Sequence, residues 1–253
     1  MNYLPQPVPR DKCSRTGAHE QRNRHHQDNT VFEKIPSAPR FVTMPPDFER
    51  KEYWHDRFLH ETSFEWLVQS THFISILEPF LARLRSDAKI LHLGCGTSDL
   101  HNFLRQRGFT SVINLDYEPL AIERSRQKEK DLFGDVRMSY VVANATELDP
   151  NDMESALVID KGTADAIACS GGEAVISLAK AVQSCLTEGG TWISLSFSSL
   201  RYDLEYMPLA VEVISKIPTP KRKETDPDIY HYCYLLQPAK GEARSDAEVE
   251  GSY

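Results

Sequence analysis

The stretch LHLGCGTSDL (91–100) decides the fold of this chain. The apolar run KILHL (89–93) has the length of a buried β-strand, and Gly94 and Gly96 follow it directly. Glycines at such a turn let the backbone bend tightly and let a ligand approach it closely. The next segment, TSDLHNFLRQRG (97–108), begins with helix-capping residues and ends at a glycine. The stretch therefore predicts a strand, a glycine turn and a helix in succession.

The succession of strands and helices continues along the chain. Further strands are predicted at SVINLD (111–116), VRMSYVVAN (136–144), ALVID (156–160), TWISLSF (191–197) and YHYCYLL (230–236). Helices are predicted from Pro119 to about Asp131, over 171–190, near 208–216, and upstream over Phe73–Leu84, where Pro79 kinks or restarts the helix. This alternation predicts an α/β fold with a doubly wound, mostly parallel sheet covered on both faces.

The composition narrows the classes of function. A formal net charge of −8 argues against a general nucleic-acid binder, which carries a basic face. The five cysteines form no CxxC pair, which favours reduced thiols over a disulfide framework or a metal site. No run approaches the roughly 18 apolar residues of a membrane span, and the N-terminus lacks the apolar centre of a signal peptide. A cytoplasmic protein with neither a membrane nor a nucleic-acid partner is expected.

The glycine turn predicts an adenosine-containing cofactor. Asp116 ends the second strand 22 positions after Gly94, close to the spacing at which a carboxylate binds ribose hydroxyls. The third glycine of a dinucleotide fingerprint is replaced by Asp99, whose carboxylate would repel a pyrophosphate at the start of the helix. No GxxxxGK[ST] loop is present. A nucleoside without phosphates is therefore favoured over a nicotinamide dinucleotide, and S-adenosyl-L-methionine is the common one.

Four segments carry a family resemblance. ILHLGCGTSDL, NLDYEPLAIE, NATEL and VIDKGTADAI, in this order, resemble the class I S-adenosylmethionine-dependent methyltransferases. With YWHDRF (53–58) and SFEWL (63–67), which match entrance helices, the chain more narrowly resembles the methyltransferase-like family that includes lysine methyltransferases of translation elongation factor 1-alpha. The resemblance covers about residues 48–197. It implies a seven-stranded Rossmann-like sheet whose last strand is antiparallel, with N-terminal helices folded over the cofactor.

The resemblance also implies a cofactor site. Its members would be Trp54, Phe58, Trp66, Gly94, Gly96, Asp116, Tyr117, Asn144, Ala145 and Lys161. The two glycines would pass under the methionine moiety, Asp116 would hold the ribose, and Tyr117 would lie against the adenine. Asn144 stands where the family often has Asp; its oxygen can accept from the adenine amino group, and the next backbone N–H can donate to the ring. Lys161 matches a cofactor-contacting position, and the three aromatic residues match the lid.

Structural alternatives accompany these roles. Phe58 and Trp66 can be ordinary core residues, although a sulfonium cation gains about 1–2 kcal/mol from a desolvated aromatic face. Asp160 and Lys161 can form a structural ion pair at the end of a strand. Arg57 can reach the methionine carboxylate or form a surface salt bridge.

The implied domain boundaries follow from composition and resemblance. Residues 1–45, rich in Pro, Arg, His and Asn, are predicted to be a disordered leader, and residues 239–253 an acidic tail. A single methyltransferase domain would span 46–238. Its parts would be N-terminal helices (46–88), a cofactor-binding half (89–197) and a substrate-side half (198–238).

The implied reaction is in-line displacement of the methyl group by a substrate nucleophile. Cys95 is expected to be a packing residue, because transfer from a sulfonium needs no covalent enzyme intermediate. A lysine nucleophile must lose a proton, which costs about 4–5 kcal/mol at pH 7, but a nearby cation and desolvation lower that cost. No general base is required, and the sequence identifies none. The [N/D]PP[Y/F] motif of many nucleobase and amide methyltransferases is absent where DKGT stands, which disfavours those substrates.

Three functions remain open from the sequence. The first is a protein-lysine methyltransferase whose substrate is a protein such as a translation elongation factor. The second is a small-molecule or peptide methyltransferase of secondary metabolism, and the third a non-catalytic cofactor-binding partner subunit. Four tyrosines of the substrate-side half can line an aromatic pocket, although packing on a strand face is favoured for most: Tyr202, Tyr206, Tyr230 and Tyr232.

Overall fold

The computed structural model of the protein describes residues 47–221 and 223–239. The predicted leader, 1–45, and nearly all of the predicted tail, 239–253, lie outside the described residues. Within the described part, no helix has the length and apolar character needed to cross a membrane.

A mostly parallel sheet forms the centre of the described chain. Its seven strands are β1 (Ile90–Leu93), β2 (Val112–Asp116), β3 (Ser139–Val142), β4 (Ser155–Lys161), β5 (Leu186–Ser196), β6 (Leu209–Pro218) and β7 (Tyr230–Pro238). They are ordered β3-β2-β1-β4-β5-β7-β6. The first five strands run parallel, whereas β7 is antiparallel to both β5 and β6. The predicted Rossmann-like sheet with an antiparallel last strand is confirmed.

Helices cover both faces of this sheet. They are α1 (Lys51–His60), α2 (Ser70–Leu81), α3 (Leu100–Gln106), α4 (Pro119–Phe133), α5 (Pro150–Met153), α6 (Thr163–Ile167) and α7 (Gly172–Cys185), with a 3₁₀ turn at 168–170. Helix α2 passes through Pro79 as one element and does not restart there. Helix α4 begins at a proline, where no backbone donor is lost, and ends at Gly134 in the left-handed conformation.

Two apolar layers hold the sheet between the helices. Successive strand residues point to opposite faces, so Leu91 and Val158 join α7 in one layer. Ile90 and Ile159 join α2 and α3 in the other layer. The carboxyl ends of β1, β2 and β4 are thereby fixed at one edge, where the glycine turn lies.

Two sequence-based predictions of helix are wrong. The segment near 208–216 is strand β6, because its residues pair with β7 along a ladder from Leu209–Pro238 to Pro218–Tyr230. β-Branched residues favour this pleated conformation over a helix. The segment SFEWL (63–67) is irregular and contains Leu67 at φ +62°, which a right-handed helix does not accommodate.

The boundary between α7 and β5 also differs from the prediction. The helix ends at Cys185, four residues before the first glycine of the pair Gly189–Gly190. Residues 186–190 instead belong to β5, where Gly189 takes φ +70° and the register with β4 shifts. A glycine in this region permits the irregular strand, and it does not end the helix.

Candidate cofactor site

The glycine turn is packed tightly against α6 at Gly94 and less tightly against Phe58 at Gly96. Gly94 and Gly96 take φ values of +55° and +50°, which glycine adopts at little cost. A Cβ at Gly94 would lie 2.1 Å from Oγ1 of Thr163, so Gly94 permits close contact between β1 and α6. A Cβ at Gly96 would have its nearest neighbour, Phe58, 3.7 Å away. Cys95 between them is buried, and burial raises the pKa of its thiol, as expected of a packing residue.

Asp116 ties the end of β2 to this turn. Its Oδ2 accepts from the backbone N–H of Gly96 at 2.9 Å, and its Oδ1 accepts from that of Glu118 at 3.0 Å. The side chain is buried, and burial raises the pKa of this carboxyl to about 6. Each oxygen keeps a lone pair after these bonds, so the group can still accept from ribose hydroxyls.

The predicted adenine-side residues lie at the same edge. Tyr117 follows Asp116 directly, and the Lys51 ammonium lies 5.7 Å from the centroid of its ring. The amide oxygen of Asn144 accepts from both the backbone N–H and the hydroxyl of Thr146, so it closes a local turn. Ala145 is buried in the α7-side layer. The register of β2 with β3 places these residues beside Asp116.

The predicted lid aromatics form one cluster above the turn. Trp54 stacks on Phe58 with ring centroids 5.9 Å apart, and meets Trp66 edge-on at 5.7 Å. Trp54 also donates its indole N–H to the carbonyl of Phe48. Phe58 is buried, and Trp66 lines the cleft above the glycine turn. The core and lid interpretations are therefore compatible, because the same rings pack together and face the turn.

Arg57 lies inside this cluster. Its guanidinium is 4.8 Å from the centroid of Phe64 and 4.6 Å from that of Trp66, and it pairs with Glu61 at 2.5 Å. The Arg57 side chain is 23% exposed, and its Nε is buried without a hydrogen-bond partner among the described residues. An unpartnered buried donor beside aromatic rings suits an anionic group such as a methionine carboxylate.

Lys161 does not pair with Asp160. The Asp160 carboxylate accepts from the Trp192 indole at 2.9 Å and from the backbone of Ala164 at 3.2 Å. Lys161 instead forms an ion pair with Glu65, at 2.6 Å. The structural alternative that joined Asp160 to Lys161 is wrong, because the two side chains leave the strand toward different partners.

A cleft separates the glycine turn from the lid. Its lining residues are Phe64, Trp66, His92, Gly94, Cys95, Gly96, Thr97, Ser98 and Lys161. Sequence reasoning missed His92, which is held neutral because burial lowers its pKa to about 3. It also missed Glu65, although an acid placed between the aromatic residues of SFEWL is a detectable signal. Among the described residues, no group of three or more metal-ligating side chains occurs.

All ten predicted site residues therefore lie at one edge of the sheet or in the lid above it. Their individual cofactor contacts remain predictions. The residues fit an adenosine cofactor with a methionine tail, since Asp116 keeps acceptor lone pairs, Gly96 places no side chain at the turn, and the Arg57 Nε has no partner among the described residues.

The sheet order, the glycine turn after β1 and the buried acid after β2 define a class of protein, the Rossmann-like S-adenosylmethionine-dependent methyltransferases. A family model described as a methyltransferase domain matches residues 90–190. Methyltransferase srdJ of Neurospora crassa is 54% identical over 198 residues, which cover 76% of this chain and 85% of that protein. The chain belongs to this methyltransferase family and is an S-adenosylmethionine-dependent enzyme.

More distant similarity extends to enzymes named for elongation factor 1A. The mouse EEF1A lysine methyltransferase 4 is 24% identical over 190 residues, covering 67% of this chain and 72% of that protein. The mouse eEF1A lysine and N-terminal methyltransferase is 28% identical over 123 residues, only 17% of its own length. The crystal structure of magnesium protoporphyrin IX methyltransferase from Synechocystis, with bound cofactor, matches with a TM-score of 0.55. At 12% identity over 78% of this chain and 99% of that one, this match shows the fold alone.

Proposed function

We propose that this enzyme methylates the side-chain amine of a lysine in a protein substrate. The observation that carries the proposal is a set of exposed acids near Cys169 and the start of α7. Asp47, Glu49, Glu173 and Asp203 are exposed, with Asp47 3.7 Å from Arg50, and Leu200 is 65% exposed. The charges of Asp47 and Glu49 act on the Cys169 thiol, whose pKa is raised chiefly by burial and then by Glu49. These four exposed acids are called the acidic rim below, and a basic protein surface complements their charge.

Of the four substrate-side tyrosines, two offer no support for a small-molecule pocket. Tyr202 is buried, with edge-on contacts to Trp192 at 5.3 Å and Tyr234 at 5.0 Å, and it donates to Ser194. Tyr206 is 79% exposed. An acceptor that docks on an exposed surface is more easily a protein than a small molecule.

Methyl transfer requires mainly that the protein position the cofactor and the acceptor and exclude water. When bound, the cofactor supplies a methyl group already activated on a sulfonium. The aromatic lid excludes water, and the glycine turn with Asp116 orients the nucleoside. Asp165, the buried acid nearest the end of β5, is neutralised by Arg201 at 2.8 Å and bonded to Ser196 and Phe197. It is therefore not proposed as a general base, and lysine deprotonation would rest on desolvation and the neighbouring cation.

The second candidate is methylation of a small molecule or peptide. It stays open because the Neurospora relative, at 54% identity, carries no protein substrate in its name, whereas the relatives named for elongation factor 1A are at most 28% identical. A cytoplasmic location is proposed for either function, because Cys95, Cys169, Cys185 and Cys233 are free thiols.

A labelling experiment distinguishes the two candidates. The enzyme is incubated with methyl-labelled cofactor and a cell lysate, which is then separated into protein and small-molecule fractions. The proposal expects label on a protein, at a lysine located by mass spectrometry, with an elongation factor 1A as the first band to examine. Label confined to the small-molecule fraction contradicts it. Asp87→Asn, which alters an exposed ion pair with Arg85, is the matched control and should label normally.

A further inference from the structure

All three N–H donors of the Lys161 ammonium are used in hydrogen bonds to the protein. It lies at the end of β4 with its side chain 3% exposed. Its Nζ donates to Glu65 Oε2 at 2.6 Å, to the Trp66 carbonyl at 2.9 Å and to the Val68 carbonyl at 3.3 Å. An ammonium has three N–H donors and no acceptor. All three are used by the lid segment, residues 61–69 between α1 and α2.

The Glu65 carboxylate likewise accepts hydrogen bonds from several donors. It accepts from the Ser70 hydroxyl at 2.7 Å, the Ser98 hydroxyl at 3.0 Å and the Asp99 backbone N–H at 2.9 Å, besides Lys161. Although burial raises the pKa of Glu65, the Lys161 ammonium and these donors hold it below its ordinary value. The carboxylate thus joins the lid segment to the start of α2, to the glycine turn and to β4.

Leu67 shows what this ion pair stabilises. It takes φ +62°, a conformation unfavourable for a residue with a side chain. The two carbonyls that Lys161 binds belong to the residues on either side of Leu67. Strained backbone persists only where surrounding contacts determine it. The ammonium therefore holds the backbone bend that places Phe64 and Trp66 on the cleft.

We propose that Glu65 and Lys161 are positioning residues of the methyl transfer: their buried ion pair holds the lid segment over the glycine turn, and Lys161 acts through the lid without contacting the cofactor. This differs from the role that the family resemblance implied for Lys161. The proposal assigns the cofactor's carboxylate instead to Arg57, whose guanidinium pairs with Glu61 and whose Nε has no partner among the described residues. The proposal holds whichever acceptor the enzyme methylates.

The variant Glu65→Gln tests the proposal, because the two roles of Lys161 predict opposite signs. If Lys161 contacts the cofactor, removal of its competing carboxylate frees the ammonium, and S-adenosylhomocysteine binds more tightly. If the pair positions the lid, binding weakens by about tenfold or more, as expected for a broken buried ion pair. Calorimetry with S-adenosylhomocysteine measures the sign, and tighter or unchanged binding overturns the proposal.

Two further variants make the test independent of a single substitution. Lys161→Met should weaken binding similarly, and the double variant should be no weaker than the weaker single one, since the residues act as a unit. Additive losses overturn the pairing. The release rate of S-adenosylhomocysteine, followed by tryptophan fluorescence from the lid, should rise in each variant with little change in the association rate.

Folding is monitored by circular dichroism. Should both ion-pair variants unfold, Ser70→Ala leaves the ion pair in place while it removes the hydroxyl that bonds Glu65 at 2.7 Å and Ser98 at 3.0 Å, and it should weaken binding about two- to threefold. Unchanged binding by that variant counts against the proposal. Glu78→Gln, which alters a pair between α2 and Arg107 outside the cleft, is the control and should bind normally.

Discussion

Replacing Asp116 by asparagine should make the empty enzyme more stable and its cofactor binding weaker. Burial raises the pKa of this carboxyl from an ordinary 3.8 to about 6. A rise of this size means that the ionised form costs the fold about 3 kcal/mol at neutral pH. Asparagine removes that charge while keeping the shape of the side chain.

The gain is partly offset by lost hydrogen bonding. Asp116 accepts from the backbone N–H groups of Gly96 and Glu118, and the NH₂ group of asparagine must face one of them. An unsatisfied donor of this kind costs about 1–3 kcal/mol, so the net gain in unfolding free energy is up to about 2 kcal/mol. The loss of charged hydrogen bonds to ribose hydroxyls, about 1.5–3 kcal/mol each, should weaken S-adenosylhomocysteine binding at least tenfold.

The pH dependence provides a sharper measurement. A carboxyl with a raised pKa contributes stability that is present below 3.8 and lost as the pH rises through about 6. The advantage of the variant over wild type should therefore be largest near about pH 7.5 and shrink toward about pH 5. Comparing the two proteins removes the contributions of His92 and Asp160, which titrate in both.

Urea unfolding at both pH values measures the unfolding free energy, and calorimetry on the same preparations measures the affinity for S-adenosylhomocysteine. Unchanged affinity would refute the ribose role of Asp116. A variant less stable than wild type at neutral pH by more than about 1 kcal/mol would refute the inference that its charge is poorly compensated. Asp87→Asn, on the exposed surface, should change neither quantity appreciably.

Three further predictions concern the scaffold. Gly94→Ala should destabilise the fold by about 2–4 kcal/mol in urea unfolding, because its Cβ would meet Thr163 and its φ is positive; a loss below about 1 kcal/mol would show that α6 yields easily. Glu129→Gln should cost about 1–3 kcal/mol by the same measurement, since it removes the buried one of the two carboxylates that pair with Arg105, the other being Asp135, and a neutral effect would contradict the buried pair. Among the described cysteines, maleimide should modify Cys169 in the native enzyme far faster than the buried ones, which peptide mass mapping checks.

The central half of the fold was predictable because its signals are local. The strand, glycine turn, helix and acid from Ile90 to Asp116 follow from periodicity and turn residues close together in sequence. Strand β6 was not predictable in this way, since it is determined by pairing with β7 across a connection of about a dozen residues. The irregular conformation of the lid segment was not predictable for the same reason. Its shape depends on Glu65, whose partner Lys161 lies 96 positions away.

The substrate class should be visible in the salt dependence of the reaction. The four acids of the acidic rim are exposed: Asp47, Glu49, Glu173 and Asp203. Their attraction for a basic protein is therefore screened by salt, with a Debye length of about 10 Å at 0.1 M. Methylation of a protein acceptor should therefore fall as salt rises, whereas S-adenosylhomocysteine binding, which depends on buried groups, should change little.

Charge reversal locates this effect on the rim. Glu49→Lys and Asp203→Lys should each lower protein methylation about threefold to tenfold at low salt, corresponding to about 1 kcal/mol per exposed charge pair, with unchanged cofactor affinity. Glu154→Lys, an exposed residue before β4 at the amino end of the sheet, is the matched control. Equal effects from all three would trace the loss to net charge alone. If neither rim variant nor salt changes the rate, the acidic surface does not bind the acceptor, and the case for a protein substrate loses its structural support.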